Sequence, residues 1–413
     1  ENVPWAMRID TPSMWHPLTW WSYQLNAQIS LWLNHPLTEP MALPFKLTNV
    51  LLHFVSGGLL FAMMRSLTGR PVLAAIASVL FLLHPANVES VAWVAERKNA
   101  LSQVFAIAAI WAYLRYGRTR KIKWMVMTTL VYLLGLLAKP AILTLPAVFM
   151  LLDLWPMRRL TWQGGRDSFA RLILEKWPLW ILAIADAVIT FINGRLIKVV
   201  VPLEDVSLVT RLLMLPVTYT RYLMDYLWPV GISPMQTTGQ VGGLMMMGSL
   251  ALMVLLTAAA MWQWHRRPWL LVGWLWFVGT LFPMVGFIKT SQEAMAHRHL
   301  YYPGLGLLLI VVMLIEPLTK RWLIPAAAGL VVAACMGLLT YQQVRVWDDS
   351  RTLYRYAIAH TQDNVWAHNN LGVVYWLDGQ WEDARREFQQ SLRIDDAYQP
   401  ARENLQAVEE LLA

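Results

Sequence analysis

Long apolar runs follow one another through most of the chain, near residues 43–64, 71–84, 101–116, 123–138, 141–156, 177–198, 208–228, 244–263, 268–288, 303–317 and 322–341. A helix needs about 20 apolar residues to cross the hydrocarbon of a bilayer, and backbone in lipid must satisfy its own hydrogen bonds. The succession therefore predicts an all-α fold, a polytopic membrane helix bundle. The shorter runs borrow flanking residues, lie buried between other helices or stop short of crossing. Only 15% of the residues are charged and 57% are hydrophobic, with a mean hydropathy of +0.42, which argues against an ordinary soluble domain. Trp15, Trp20, Trp21, Trp93, Trp155, Trp177 and Trp228 lie near run ends, where an amphipathic indole suits the headgroup region.

The net charge of +8 does not read as a nucleic-acid footprint. From Gln342 onward seven basic residues face twelve acidic ones, a net charge of −5, which leaves +13 for the apolar part. That surplus gathers in short loops: Arg115, Arg118, Arg120, Lys121 and Lys123, then Arg158, Arg159 and Arg166, then Arg266 and Arg267, then Lys320 and Arg321. Basic short loops stay on the cytoplasmic side. Placing residues 1–42 outside satisfies that rule as far as Arg166. Beyond it, the rule holds only if 208–228, interrupted by Arg211, Pro216, Arg221 and Asp225, is an interfacial helix on the outer side; a buried span with its arginines facing a polar cavity is the alternative. The expected organisation is an outer-face loop with an amphipathic helix over 1–42, a transmembrane domain of about ten spans over 43–341, and a soluble domain over 342–413.

The soluble part carries Leu371-Gly372-Val-Val-Tyr375 followed by Ala384, Phe388 and Ser391. This is tetratricopeptide spacing, in which small residues let two antiparallel helices approach and large ones fill the gap. About two repeats are fewer than the three usually needed for independent stability, so the piece is expected to dock on the membrane domain or to continue in a longer chain. The only cysteine, Cys335, lies inside an apolar run and allows no intrachain disulfide.

Between two apolar runs stands His84-Pro-Ala-Asn-Val-Glu-Ser-Val-Ala-Trp-Val-Ala-Glu-Arg-Lys98. Ionisable groups at a membrane boundary are costly to desolvate and mark functional sites. The plain reading is a solvated turn. Parity brings His16, His84, Glu89, Glu96, Arg97, Lys98, Lys139, His297, Arg298, His299, Tyr301 and Tyr302 to the outer face. Cations there can hold a phosphate, while a carboxylate binds a hydroxyl or takes its proton. Glu89 stands nearest the apolar boundary, and Lys139-Pro140 leaves its ammonium little room to snorkel. The histidines show no zinc spacing, and neither a Gly-rich phosphate loop nor a nucleophile elbow is present.

Several segments together resemble the multipass, tetratricopeptide-carrying membrane glycosyltransferases related to protein O-mannosyltransferases, in the GT-C class. They are Glu1-Asn-Val-Pro-Trp-Ala6, Trp15-His-Pro-Leu-Thr-Trp20, Leu47-Thr-Asn-Val-Leu-Leu-His53, His84 to Lys98, Leu137-Ala-Lys-Pro140, Thr144-Leu-Pro146, Leu151-Leu-Asp-Leu-Trp-Pro156, Trp276-Phe-Val-Gly-Thr280 and Ala296-His-Arg-His-Leu-Tyr-Tyr-Pro303. The resemblance implies transfer of a mannose-like sugar from a polyprenyl-phosphate donor to an acceptor hydroxyl at the non-cytoplasmic face. It implies a general base in an acidic loop that the match places ahead of Glu1, and so a chain missing its first membrane helix and main catalytic acid. Glu89 is then the second acidic position and the catalytic candidate within these residues. Lys139, Arg298 and Arg97 are candidates for the donor phosphate, with His84, Glu96, His297 and Tyr301 in support. Relatives tend to carry Asp at the positions of Asn26 and Asn99, and Ala-Asp-Arg-Tyr where this chain has Ala296-His-Arg-His299.

The expected partners are the polyprenyl-phosphate sugar, a protein acceptor that the repeat domain binds or presents, and membrane lipid; nucleic acid is not among them. No cofactor is demanded, though a divalent cation is compatible with the chemistry. The expected location is a bacterial inner membrane with the repeat domain in the periplasm. The competing readings are a membrane-anchored repeat scaffold for envelope assembly and a transporter, the latter disfavoured because the halves show no inverted repeat.

Overall fold

The computed structural model describes residues 5–7, 14–32, 42–160, 165–196, 208–237, 241–285, 295–317 and 323–412. In chain order the helices are α1 (Pro17–Trp32), α2 (Ala42–Thr68), α3 (Pro71–Leu82), α4 (Val88–Ala92), α5 (Arg97–Thr119), α6 (Ile122–Ala138), α7 (Leu145–Leu154), α8 (Gly165–Glu175) and α9 (Trp177–Leu196). They continue with α10 (Leu208–Leu227), α11 (Gly243–Trp262), α12 (Pro268–Leu281), α13 (Gly304–Ile315), α14 (Leu323–Arg345), α15 (Ser350–His360), α16 (Val365–Leu377), α17 (Trp381–Ile394) and α18 (Gln399–Leu412). The described residues hold no strand, only one isolated bridge between Gln236 and Met295.

This is an all-α membrane protein. Leu43–Thr68, Trp177–Leu196 and Gly243–Trp262 are each long and apolar enough to cross a bilayer. Pro71–Leu82 reaches that length only with the following Pro85–Ala92, across a 55° bend. Gly329–Arg345 reaches it only with Ser350–His360, across a 115° bend. Ile122–Ala138, Pro140–Leu154, Pro268–Met284 and Gly304–Ile315 are apolar but shorter. The interrupted run at 208–228 becomes α10 and is not among the helices apolar enough to cross. Large apolar side chains such as Leu244, Met247 and Trp262 on α11 stay exposed, as a lipid-facing surface requires.

Two apolar cores hold the bundle. The larger runs through α2, α3, α5, α6, α7, α12 and α13 and centres on Tyr113, Tyr132, Phe149 and Trp276. The smaller joins α10, α11, α12 and α13 through Tyr219, Tyr222, Tyr226, Trp274 and Phe277. Helices α12 and α13 touch backbone to backbone: a Cβ on Gly273 would stand 2.6 Å from the Gly306 carbonyl oxygen, and one on Gly306 2.5 Å from that of Gly273. Small residues at such crossings supply close packing where lipid offers no hydrophobic drive between helices.

Past Arg345 the chain turns into stacked helical hairpins, α15 on α16, α16 on α17 and α17 on α18. Ala384 and Phe388 are fully buried, and a Cβ on Gly372 would collide with the Phe388 ring at 2.6 Å. The tetratricopeptide spacing thus works by a missing side chain that makes room for an aromatic. The repeats dock on the membrane part: Asn364 Nδ2 donates to the Met235 carbonyl at 2.9 Å, Thr237 Oγ1 to that of Gln362 at 2.8 Å, and Trp347 stacks on Trp93 at 5.8 Å.

Candidate functional site

Local breaks in helix assemble the charged segment. A residue before proline avoids the α region, and His84 is extended ahead of Pro85, ending α3. Its Nδ1 accepts from the Ala86 amide, so the neutral ring carries its proton on Nε2 and donates to the Tyr226 carbonyl at 3.0 Å. Trp93 is extended as well, which separates α4 from a turn at Val94–Glu96 and lets α5 start at Arg97. Lys139, extended before Pro140, ends α6 by the same rule. Glu89, Glu96 and Lys139 are thereby directed at one point.

What meets there is a network of two carboxylates and three cations. Arg298 comes from the turn His297–Leu300 and grips Glu89 twice, Nη1 to Oε1 at 2.5 Å and backbone amide to Oε2 at 3.0 Å. The Arg298 guanidinium also lies 5.4 Å over the Trp93 ring and 3.6 Å from Glu96. Glu96 pairs with Lys98 at 3.1 Å and Lys139 at 3.6 Å and accepts from Asn99 Nδ2 at 2.6 Å. Asn99 in turn accepts from Lys139. Glu89 and Glu96 are 5% and 2% exposed, so the solvated-turn reading does not hold. Burial alone would push the Glu96 carboxyl up, but Lys139, Lys98 and Arg298 outweigh it and hold it below its ordinary value. Burial brings Lys139 down to about 8, with Glu96 opposing and Lys98 and Arg298 assisting. His16 falls to about 4, chiefly through burial and then through Lys98 and Lys139.

One carboxylate fewer than cations leaves the cluster with a positive surplus. Of its members Glu89 and Arg298 line a cleft of about 300 Å³, together with Lys46 and Trp93 on the membrane side and Trp347, Asp348, Asp349, Leu353 and Tyr354 on the other. Behind Arg298 a water-sized void touches Asn99, Lys139 and His299. The preformed cations Arg298, Lys139 and Lys98 suit an anionic group better than a neutral one, because their charges need no reorganisation to meet it. Among the described residues no group of three His, Cys, Asp or Glu side chains could hold a metal ion.

No protein-family model matches the chain, and no solved structure does. Two curated proteins do. The Caenorhabditis elegans "Protein O-mannosyl-transferase F38B6.6" is 22% identical over 393 residues, covering 92% of this chain and 54% of that protein. The Drosophila melanogaster "Protein O-mannosyl-transferase Tmtc1" is 32% identical over 130 residues, 32% of this chain and 14% of that one. The chain is related to protein O-mannosyl-transferases. It spans about half the length of the first of these relatives.

In this O-mannosyltransferase relative, the expected site residues part into two groups. Glu89, Glu96, Lys139 and Arg298 come together, and His297 stands beside them with its Nε2 3.0 Å from Asp225. Arg97 does not, which corrects its assignment to the donor phosphate. Its side chain is fully buried and turned away, with Nε donating to Asn49 at 3.0 Å, Nη1 to the Ser22 carbonyl and to Asn26, and Nη2 to the Phe45 carbonyl. It stacks between Tyr23 and Phe45 and fastens α1 and α2 to α5. His84 likewise spends both ring nitrogens on backbone, and the Tyr301 hydroxyl meets His53 Nδ1 at 2.7 Å rather than the charges.

Sequence reasoning missed three contributors. Asp225 was visible only as an interruption of the run at 208–228, yet it is the partner of His297 and of Gln236 Nε2. Tyr222, one turn earlier on α10, accepts from the Ala296 amide at 3.1 Å and contacts His299 Nδ1 at 3.2 Å, fixing the turn that carries Arg298. Asn99, noted as a departure from the relatives' Asp, bridges Lys139 and Glu96. An Asp there would cancel the surplus positive charge.

Proposed function

We propose that the protein is an integral-membrane glycosyltransferase that moves a mannose-like sugar from a polyprenyl-phosphate donor to a hydroxyl on a protein acceptor, at the non-cytoplasmic face. The membrane is read as a bacterial inner membrane, with the repeats in the periplasm. The observation that carries the reading is the Glu89–Arg298–Glu96–Lys139–Lys98 network, three cations to two carboxylates, which reaches a cleft between membrane helices and repeats through Glu89 and Arg298. The names of the relatives point the same way.

In the proposed reaction the acceptor oxygen attacks the anomeric carbon, the bond from that carbon to the phosphate oxygen breaks, and the phosphate leaves with an added negative charge. Arg298 and Lys139 stabilise that charge where it develops. Glu89 is a positioning residue: by holding both a side-chain and a backbone N–H of Arg298 it fixes the guanidinium's aim. The hydroxyl proton goes to a carboxylate acting as general base, as the resemblance to O-mannosyltransferases implies.

Incubating the protein in liposomes with polyprenyl-phosphate mannose and a Ser/Thr-rich polypeptide tests this. Sugar should appear on the polypeptide and be lost with Arg298→Ala; absence of transfer by the unaltered protein rejects the reading.

A further inference from the structure

Basic residues crowd the end of the bundle opposite the cleft, around the turn from α5 to α6, and they fall into two sets. One set is engaged: Arg118 donates to the Ser66 carbonyl, Arg120 pairs with Glu175 at 3.3 Å, and Arg159 takes both Asp153 and Glu175. The other set is Arg115, Lys121 and Lys123, which are exposed and have no carboxylate partner among the described residues. Two of these are nevertheless held in place. Trp111 of α5 and Trp124 of α6 meet edge to face with ring centroids 5.6 Å apart. The Arg115 guanidinium lies over both rings, 5.1 Å from the centre of Trp111 and 5.9 Å from that of Trp124, and the Lys123 ammonium lies 5.7 Å from Trp124. Stacking occupies the flat side of a guanidinium and leaves the N–H groups of its edge free for an oxyanion. Two cations thus share one indole with their donors unspent.

Beneath Lys123 the surface turns apolar. Met127, Leu130 and Leu134 follow it at i+4, i+7 and i+11 and so share its face of α6; all three are exposed, with Val126 beside them. From Lys123 to Leu134 the stripe runs about 16 Å, which matches one leaflet of a hydrocarbon core about 30 Å thick. Cations at the head of such a stripe, with indoles at the boundary, match a molecule that carries an anion above hydrocarbon chains. We propose that the α5–α6 hairpin binds an anionic glycerophospholipid, its phosphate held by Arg115 and Lys123 around Trp124 and its acyl chains lying along Met127, Leu130 and Leu134. Lys121, which caps α6, adds attraction at longer range. A zwitterionic headgroup fits less well, since its ammonium would meet Arg115 and Lys123 and find Asp153 and Glu175 already engaged. Arg115 stands about 27 Å along α5 from Arg97, so the site is separate from the cleft and does not rest on the transferase reading.

Native mass spectrometry of the delipidated protein in detergent, titrated with phosphatidylglycerol or with phosphatidylcholine of the same chains, tests this. Phosphatidylglycerol should be held the more tightly, and Arg115→Met and Lys123→Met should each weaken it about fivefold, the effect of one basic residue at an anionic surface, with phosphatidylcholine unchanged. Arg115→Lys, which keeps the charge but loses the fork, should fall between the unaltered protein and Arg115→Met. Replacing Arg266 and Arg267 with Met removes two charges from another basic turn and should leave the affinity as it was. Photoreactive phosphatidylglycerol in nanodiscs should label Met127, Leu130 or Leu134. Equal retention of the two lipids, or an equal loss on replacing Arg266 and Arg267, overturns the site, because net charge alone then governs binding. Full competition by glycerol 3-phosphate overturns it as well, since the anion is then bound without its chains. The replaced side chains are exposed, so the comparison does not depend on a rebuilt core.

Discussion

Two ionic networks cap the bundle of α5, α6 and α7 at opposite ends, about 20 Å apart along α5. One is the Glu89–Arg298 network at the start of α5 and the end of α6. The other joins Asp153 at the end of α7 to Lys176, to Arg159 at 2.8 Å and to the Tyr113 hydroxyl at 2.8 Å, with Glu175 taking Arg159 at 2.5 Å. Both are built of two carboxylates and three cations, yet their access to an outside group differs. Asp153 and Glu175 meet Lys176, Arg159 and, at 3.3 Å from Glu175, Arg120, and Asp153 and Lys176 are completely shielded. In the other network Glu89 and Arg298 line a cleft. A shielded network supports the fold only through its own partners, whereas one that opens on a cleft can also meet an outside group.

The sharpest way to break this comparison is to remove one member from each side. Lys176→Met leaves the Asp153 carboxylate buried against one cation fewer and is expected to cost about 3–5 kcal/mol of stability, read as a lower denaturation temperature in detergent. Arg298→Ala removes a cation from the cleft side and is expected to lower sugar transfer roughly 10²–10³-fold with smaller loss of stability. If Arg298→Ala unfolds the protein as readily as Lys176→Met, the distinction between the two networks is lost.

Charge state sharpens it further. Lys139 titrates near 8 because burial disfavours its ammonium, so its positive form is lost as pH rises through that value. Transfer and donor affinity should therefore fall above about pH 8, by up to about tenfold per pH unit. Lys139→Arg, which stays charged, should flatten the fall in a pH–rate profile. The smallest effect is expected at the margin. Asp225→Asn removes a charge from His297 without touching Arg298, and transfer should change only about two- to threefold, in keeping with a single hydrogen-bonded pair at the edge of the network. A change as large as that of Arg298→Ala would make Asp225 part of the anion site itself.

The repeat hairpin was legible because its signal is local: Gly372 and Phe388 lie on helices joined by a short turn, and their complementarity follows from spacing. The crowding of charge between His84 and Lys98 was legible for the same reason. The fate of individual charges was not. Arg97 and Lys98 are neighbours, but on a helix consecutive side chains point about 100° apart, so Arg97 enters the core and Lys98 reaches Glu96. No periodicity reveals which of the two is structural. Asp225 was hidden by the apolar run around it, since a charge in such a run gives a cost but no partner.

By itself, then, the chain determined an all-α membrane bundle with a tetratricopeptide-like end, because apolar length and 3.6-residue spacing leave lipid-exposed backbone no other choice. It also determined that charges would be stranded at the bundle mouth. Only the tertiary structure decided their partners. Glu89 and Arg298 lie 209 residues apart and meet because two separate helix breaks aim them at one point. Burial makes pairing obligatory, but packing alone selects the pair and sets it in the wall of the cleft.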